Sequence, residues 1–161
     1  MLIGVLSDTH DRLPLTRAAV ELLGRLGVKA LIHCGDLTGP AVLDLLAGDV
    51  PAYFVFGNND WDREGLARYA AGLGITCLGL SGVVELAGRR IGVAHGDRMQ
   101  PLREMRTDPT LRYILTGHTH VSDDTQDGHL RWVNPGALHR TRQPSVATID
   151  LAEDRVRFHL L

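Results

Sequence analysis

Five short apolar segments of this sequence each stop abruptly at a cluster of histidine, aspartate and asparagine. The segments span residues 2–6, 30–32, 52–56, 91–94 and 113–115, and the clusters after them read SDTH, HCGD, GNND, HGD and TGHTH. In open α/β sheets, ligands bind at the carboxyl ends of the strands. If the five segments are neighbouring strands, all five clusters meet at one edge of a sheet. No other feature constrains the fold as strongly.

The residues between the clusters predict helices in the first half of the chain. Residues 13–26 carry apolar side chains at helical spacing, with Pro14 in the first turn and Gly27 after the end. Shorter helices are expected at 40–47 and 61–72. Alternating strands and helices imply parallel βαβ units with right-handed crossovers. Further along, the pattern predicts strands near 75–78, 82–87 and 90–94, a hairpin turn at 88–89, a helix near 100–106, and antiparallel strands near 122–126, 129–134, 145–151 and 155–160.

Composition narrows the class of protein. The 161 residues contain no linker, repeat or low-complexity tract, so we expect a single domain over residues 1–161. The net charge of −2 argues against an extended nucleic-acid-binding surface but permits a phosphate substrate if metal ions supply positive charge. Cys34 and Cys77 form no C-x-x-C pair, which indicates free thiols. With no signal peptide and no membrane-length apolar stretch, a cytoplasmic protein is expected.

The clusters together offer nitrogen and oxygen ligands for metal ions. Asp8 and His10 stand two residues apart, so an extended backbone would point both the same way. Asp36 has two carboxylate oxygens and can bridge two ions. A set without thiolate suits Mn, Fe, Ni, Co or Zn. Two such ions about 3.5–4 Å apart can catalyse an in-line displacement at phosphorus. The predicted ligands are Asp8, His10, Asp36, Asn58, His95, His118 and His120.

Taken singly, several of these residues have simpler interpretations. Asp8 or Asp36 could cap a helix, Asn58 could form a turn, and His95 could be a buried structural histidine. Metal binding is favoured because these residue types recur together at the ends of strand-like segments. The other histidines, His33, His129 and His159, are expected to be structural or exposed, while His139 is left open as a neighbour of the site.

The sequence gives weaker support for a functional role of other residues near the clusters. Arg12, Arg63 and Arg98 each lie close in sequence to a cluster and could hold a phosphate, although exposed arginines are common. Cys34 lies in an apolar segment and is expected to pack rather than react. The sequence contains no G-x-x-x-x-G-K-[ST] motif, which excludes a P-loop nucleotide hydrolase.

In order along the chain, the motifs D-x-H, G-D, G-N, H-G and G-H-x-H resemble those of the calcineurin-like metallophosphoesterases. They stand at residues 8–10, 35–36, 57–58, 95–96 and 117–120 and so span most of the chain. The resemblance implies an α/β fold, a two-layered β-sandwich flanked by helices. It also implies two divalent ions, with manganese the first choice. One ion would be held by Asp8, His10, Asp36 and His120, and the other by Asp36, Asn58, His95 and His118.

The small size of the chain and the N-P-G sequence at 134–136 most resemble the compact bacterial and archaeal phosphodiesterase branch. That resemblance implies attack of a metal-bound hydroxide on a small phosphodiester or nucleotide-like substrate, and leaves a homo-oligomer open. Two alternatives remain. One is a phosphomonoesterase. The other is a catalytically weak protein-binding scaffold, because the branch is similar to a eukaryotic retromer subunit; the complete set of predicted ligands favours catalysis.

The sequence departs from the family at GNND. Larger relatives carry G-N-H-[ED], where the histidine assists the substrate and the leaving group, but this chain has Asn59 in that place. An amide can hydrogen-bond a phosphate oxygen but cannot act as a general acid. We therefore expect Asp36 and Asn59 to be the catalytic residues, and Asn59 and Arg12 to bind the substrate. Substrates with good leaving groups should react best.

Overall fold

The computed structural model describes all 161 residues. Its first half alternates strands and helices: β1 (Leu2–Leu6), α1 (Leu13–Arg25), β2 (Leu31–His33), α2 (Pro40–Leu46), β3 (Ala52–Phe54), α3 (Arg63–Gly72) and β4 (Thr76–Cys77). Its second half is mostly β: β5 (Ser81–Leu86), β6 (Arg89–Ala94), α4 (Met99–Thr107), β7 (Leu111–Leu115), β8 (Ser122–Asp127), β9 (Leu130–Pro135), β10 (Ser145–Asp150) and β11 (Arg155–Leu160). All the predicted helices and strands are present. None of the helices combines the length and the apolar character that crossing a membrane requires.

The strands form two sheets, which confirms the predicted two-layered sandwich. The first sheet has the order β11-β10-β1-β2-β3-β4, and the second has the order β5-β6-β7-β9-β8. Strands β1 to β4 are parallel, as the βαβ pattern predicted. The predicted antiparallel pairing of the last four strands holds for β8 with β9 and for β10 with β11. It misses the parallel pairing of β9 with β7, which joins segments distant in sequence.

Three apolar clusters hold the layers together. Between the sheets, Val5, Ile32 and Tyr113 belong to a cluster of 16 buried residues. A second cluster of 17 lies between the first sheet and helices α1 to α3, where Leu23 and Leu43 pack. A smaller one joins α4 to the outer face of the second sheet. Strand β1 is buried on both faces, which explains its unbroken apolar sequence.

The strands that precede the five polar clusters do not all lie in one sheet. Strands β1, β2 and β3 belong to the first sheet, whereas β6 and β7 belong to the second. The five segments are therefore not neighbours in one sheet, which was the condition under which their clusters were expected to meet. Their carboxyl ends nevertheless meet at the same edge of the sandwich. There His95 Nδ1 lies 2.8 Å from the carbonyl oxygen of Cys34, and the His118 N–H donates to Asp8 Oδ2 at 3.0 Å.

Candidate metal centre

The predicted ligands come together at this edge, around two buried carboxylates. Asp36 Oδ2 lies 3.2 Å from His10 Nε2 and 3.4 Å from His95 Nε2. Asp8 Oδ1 lies 3.1 Å from His120 Nε2 and 4.0 Å from His95 Nε2. Side chains from β-strand ends more than a hundred residues apart in sequence therefore share one cluster.

Two sets of side chains have ligand atoms close enough to share an ion. Asp8, His10 and His120 form one set, and Asp8, Asp36 and His95 form the other, with all ligand atoms of a set within 4.8 Å of one another. The remaining predicted ligands adjoin the second set: Asn58 Oδ1 lies 3.1 Å from His95 Nε2, and the ring centroids of His95 and His118 are 5.1 Å apart.

The hydrogen bonds around the cluster orient its ligand atoms inward. Because a carbonyl oxygen only accepts, Nδ1 of His95 donates to Cys34, and in the neutral ring Nε2 keeps its lone pair for a cation. Asp8 Oδ2 accepts from the Ser7 hydroxyl at 2.6 Å and from the His118 N–H. Its Oδ1, and Nε2 of His10, are buried without a hydrogen-bond partner. Such atoms are costly unless something binds them, so the residues present fit divalent cations.

The loop after β3 supports Asp36. The backbone N–H of Asn59 donates to Asp36 Oδ1 at 2.8 Å, and its side-chain amide donates to Oδ2 at 2.7 Å. Asp60 is almost fully buried and accepts backbone N–H groups of Asp36, Thr38 and Gly57 at 2.7–2.9 Å. It ties the loops after β2 and β3 together. Sequence reasoning assigned no role to Asp60, although it is the last residue of GNND.

The carboxylates make the centre strongly attractive to positive charge. Burial opposes ionisation of Asp36, but the close approach of His10 and His95 to its carboxylate and the hydrogen bonds from Asn59 prevail and hold its pKa well below the ordinary range. Burial likewise lowers the pKa of His95, but Asp36 and Asp8 outweigh it and raise that pKa to about 9. Without metal, a proton on His95 partly neutralises the carboxylates. Divalent cations would supply that charge instead.

The backbone of five predicted ligands has positive φ. The angles are 53° at Asp8, 42° at His10, 59° at Asp36, 69° at His118 and 60° at His120, in the left-handed region that aspartate and histidine tolerate better than most residues. The expectation that D-x-H presents its side chains from an extended backbone is therefore wrong, and the backbone of G-H-x-H is turned as well. In the second motif the pair even divides, since His118 lies beside His95 whereas His120 lies beside Asp8.

The simpler interpretations of single residues do not describe the structure. The N-cap residue of α1 is Arg12 and that of α2 is Gly39, so neither Asp8 nor Asp36 caps a helix. Cys34 is buried, as predicted, and burial raises the pKa of its thiol. His33 is also buried and structural, because its Nδ1 accepts from the Gly35 N–H at 3.1 Å.

The arginines named from the sequence differ in position. Arg63 donates to the Gly57 carbonyl and its guanidinium lies 5.9 Å from the centroid of the Phe56 ring, so it supports the loop. Arg98 pairs with its neighbour Asp97 at 3.6 Å. Arg12 is exposed and lines a cavity together with Arg140.

His139 lies beside the centre. Its ring centroid is 4.5 Å from that of His10, and its Nδ1 is buried without a partner. Arg140, Arg142 and the rest of the loop after N-P-G were not singled out from the sequence. In the sequence, the only feature that could have pointed to this loop is that two arginines stand close together in it.

A two-sheet sandwich with clustered aspartate, histidine and asparagine at its edge is the architecture of a metallophosphoesterase. The Calcineurin-like phosphoesterase superfamily domain matches residues 1–154. A phosphodiesterase of Methanocaldococcus jannaschii is 27% identical over 164 residues, which cover 98% of this chain and 97% of that protein. The chain thus belongs to the calcineurin-like phosphoesterase superfamily.

Solved structures agree on the fold. An archaeal phosphodiesterase superposes over 100% of both chains with a TM-score of 0.93 at 26% identity. Vps29 of Entamoeba histolytica, solved with Zn²⁺, covers 100% of this chain and 98% of its own length with a TM-score of 0.63 at 19% identity. The second likeness concerns the fold alone.

Proposed function

We propose that this protein is a dinuclear metal-dependent phosphodiesterase acting on small phosphodiesters or nucleotide-like substrates. The observation that carries the proposal is the position of Asp36 Oδ2, 3.2 Å from His10 Nε2 and 3.4 Å from His95 Nε2. These histidines belong to the two different ligand sets that the family resemblance implies. A carboxylate oxygen close to both histidines supports a bridging role for Asp36.

The residues of the chain would have separate roles in catalysis. When bound, a pair of divalent cations supplies Lewis acidity at phosphorus and acidifies the attacking water. Asp36 would hold both ions, and Asn59 holds Asp36 through two hydrogen bonds. The second hydrogen of the Asn59 amide can bind a phosphate oxygen, but the amide cannot protonate the leaving group. Hydrolysis makes one P–O bond to water and breaks one ester bond, so esters of acidic alcohols should react fastest.

The diesterase preference draws on the relative from Methanocaldococcus jannaschii, which is named as a phosphodiesterase. The nitrogen and oxygen donors without sulfur suit Mn, Fe, Ni, Co or Zn, and the family resemblance makes manganese the first choice among them. The free thiols of Cys34 and Cys77 support a reducing compartment such as the cytoplasm.

The proposal is tested by comparing bis(p-nitrophenyl) phosphate with p-nitrophenyl phosphate, with Mn²⁺, Ni²⁺, Zn²⁺ or no metal added. We expect turnover only with metal, and a higher kcat/KM for the diester. Faster hydrolysis of the monoester would reverse the diesterase preference. No turnover with any metal would favour a protein-binding scaffold.

The substitution Asp36→Asn tests the bridging role. It should lower metal content from two ions per chain to one or none and reduce diester turnover by about a hundredfold or more, because the amide carries no charge. Asp49→Asn is the matched control, since Asp49 is exposed and precedes β3, whereas the centre lies at the carboxyl ends of the strands. Metal analysis by mass spectrometry and initial rates provide the readout. Equal metal content and rates for the two variants would exclude the bridging role.

A further inference from the structure

The loop that follows N-P-G forms one wall beside the metal centre. We call residues 139–144 the rim loop; it lies between β9 and β10. His139, its first residue, packs against the predicted ligand His10 at 4.5 Å between ring centroids. Further along the loop, Arg142 lines a cavity that also contains the predicted ligand His120. The loop therefore contacts the side of the centre where His10 and His120 lie.

The cavity beside His120 has the chemistry of an anion site. Its volume is about 350 Å³, and no carboxylate lines it. The polar side chains around it bring hydroxyl, amide and guanidinium groups: His120, Ser122, Thr141, Arg142, Gln143 and Ser145. A guanidinium with hydroxyl donors and no competing acid is suited to phosphate oxygens.

A second cavity, of about 260 Å³, is also lined by the rim loop and shares Thr141 with the first. It brings Arg12 and Arg140 together, again with no carboxylate in its lining. The ion pairs of the molecule involve other arginines, so Arg12, Arg140 and Arg142 all lack an acidic partner. Three unpaired guanidinium groups beside one site are notable in a chain whose net charge is −2.

These arginines lie close to the metal centre, because Arg140 directly follows His139, whose ring packs on that of the predicted ligand His10. Nδ1 of His139 is buried without a partner. Positive charge thus accumulates on the side of the rim loop, opposite in sign to the carboxylates of the centre itself. An anion bound there would relieve it.

We propose that the rim loop and Arg12 bind a second phosphate group of the substrate. The substrate class is then a phosphodiester that carries a further phosphate monoester, as at a phosphorylated nucleotide end. The inference rests on the proposed function, because the scissile diester must lie at the metal centre for the second phosphate to reach the loop. Arg142 and Arg140 determine specificity in this scheme and take no part in bond breaking.

The test compares two substrates that differ only in the second phosphate. One is the p-nitrophenyl ester of thymidine 5′-phosphate, and the other is the same ester with a 3′-phosphate, both with the manganese-loaded protein. We expect the 3′-phosphate to lower KM about tenfold, the effect of one or two charge-assisted hydrogen bonds. Arg142→Gln and Arg140→Asn should each remove most of this preference; asparagine is chosen because Arg140 has φ of 49°.

A binding measurement separates this inference from the proposed function. Isothermal titration calorimetry compares thymidine 3′,5′-bisphosphate with thymidine 5′-phosphate, with manganese and in EDTA. Tighter binding of the bisphosphate that both variants weaken supports the subsite even if no ester is hydrolysed. Arg157→Gln is the control, because Arg157 is exposed on β11 and in no ion pair, and it should keep the full preference. Equal KM and equal affinity with and without the 3′-phosphate would overturn the subsite, even in an active diesterase.

Discussion

Individual side chains at the centre are held in conformations that cost stability. Positive φ at non-glycine residues, as at Asp8, Asp36 and His118, costs of order 1–3 kcal/mol each and persists only where the surroundings enforce it. Asp8 Oδ1 is also buried without a partner. These features make sense if the side chains are needed to bind cations, because local strain and unmet polar groups concentrate at functional sites.

His33, next to the centre but outside it, makes stability depend on pH. Its Nδ1 accepts from the Gly35 N–H, so Nε2 carries the hydrogen that it donates to Thr9 Oγ1. Burial is the main reason that its pKa falls to about 3. The unfolded chain takes up the proton below about pH 6.5, whereas the folded protein does not. The stability contribution is therefore complete above pH 6.5 and is lost progressively as the pH falls towards 3.

From this difference we predict a loss of about 2 kcal/mol at pH 5 relative to pH 7.5 that is specific to His33. Urea unfolding in EDTA at the two pH values measures the free energy of unfolding. His33→Gln is the comparison, since glutamine does not titrate. The free energy of unfolding should fall less between the two pH values in the variant. An equal fall in both proteins would show that His33 is not the responsible group.

At the level of whole elements, the loops after the parallel strands pack against one another too closely for side chains. A Cβ at Gly117, after β7, would lie 2.7 Å from Asp8 Oδ2 and in contact with the Ser7 hydroxyl, both after β1. A Cβ at Gly57, after β3, would lie 2.6 Å from the backbone nitrogen of Asp36. Glycine at position 117 thus lets loops of the two sheets meet, and glycine at position 57 lets two loops of the first sheet meet.

We predict that Gly117→Ala displaces Asp8 and lowers both stability, by about 1–3 kcal/mol, and metal content. The control is Gly24→Ala on the exposed side of α1, where an added Cβ meets nothing within 4 Å. That change should stabilise the protein by about 0.5–1 kcal/mol because alanine favours the helix. Chemical denaturation and metal analysis of both variants provide the measurement. Normal metal content in Gly117→Ala would mean that the loop adapts.

For the whole molecule, the position of the centre couples metal binding to stability. Its side chains come from loops of both sheets, so a bound ion joins layers that the apolar core between them already holds. Any ligand that binds only the folded state stabilises it by mass action. The unfolded chain cannot assemble this set of ligands.

Saturating Mn²⁺ should therefore raise the Tm by about 10 °C over the protein in EDTA, since a concentration a thousand times the Kd contributes about 4 kcal/mol. A thermal shift assay over a range of metal concentrations measures the effect. Asp36→Asn should show a much smaller rise. A Tm that does not respond to Mn²⁺, Ni²⁺ or Zn²⁺ would contradict the existence of the centre.

The elements and the site were predictable from sequence to different degrees. The helix over α1 and the strand β1 follow from apolar spacing, which is a local property. The parallel pairing of β9 with β7 was missed, because the partner of a strand depends on distant segments. The turned backbone at His118 and His120 was missed for the same reason: contacts with Asp8 and His95 impose it.

Local apolar spacing was enough to predict the alternation of strands and helices, and short motifs were enough to name the side chains available to bind metal; the sandwich was implied by the resemblance of those motifs to a known family. Tertiary packing decided how the five clusters divide between two sheets and still meet at one edge. It also decided that Asn59 holds Asp36, that His139 packs on His10, and that Arg12 and Arg140 share a cavity. These contacts join residues far apart along the chain, and only the packing of both sheets brings them together.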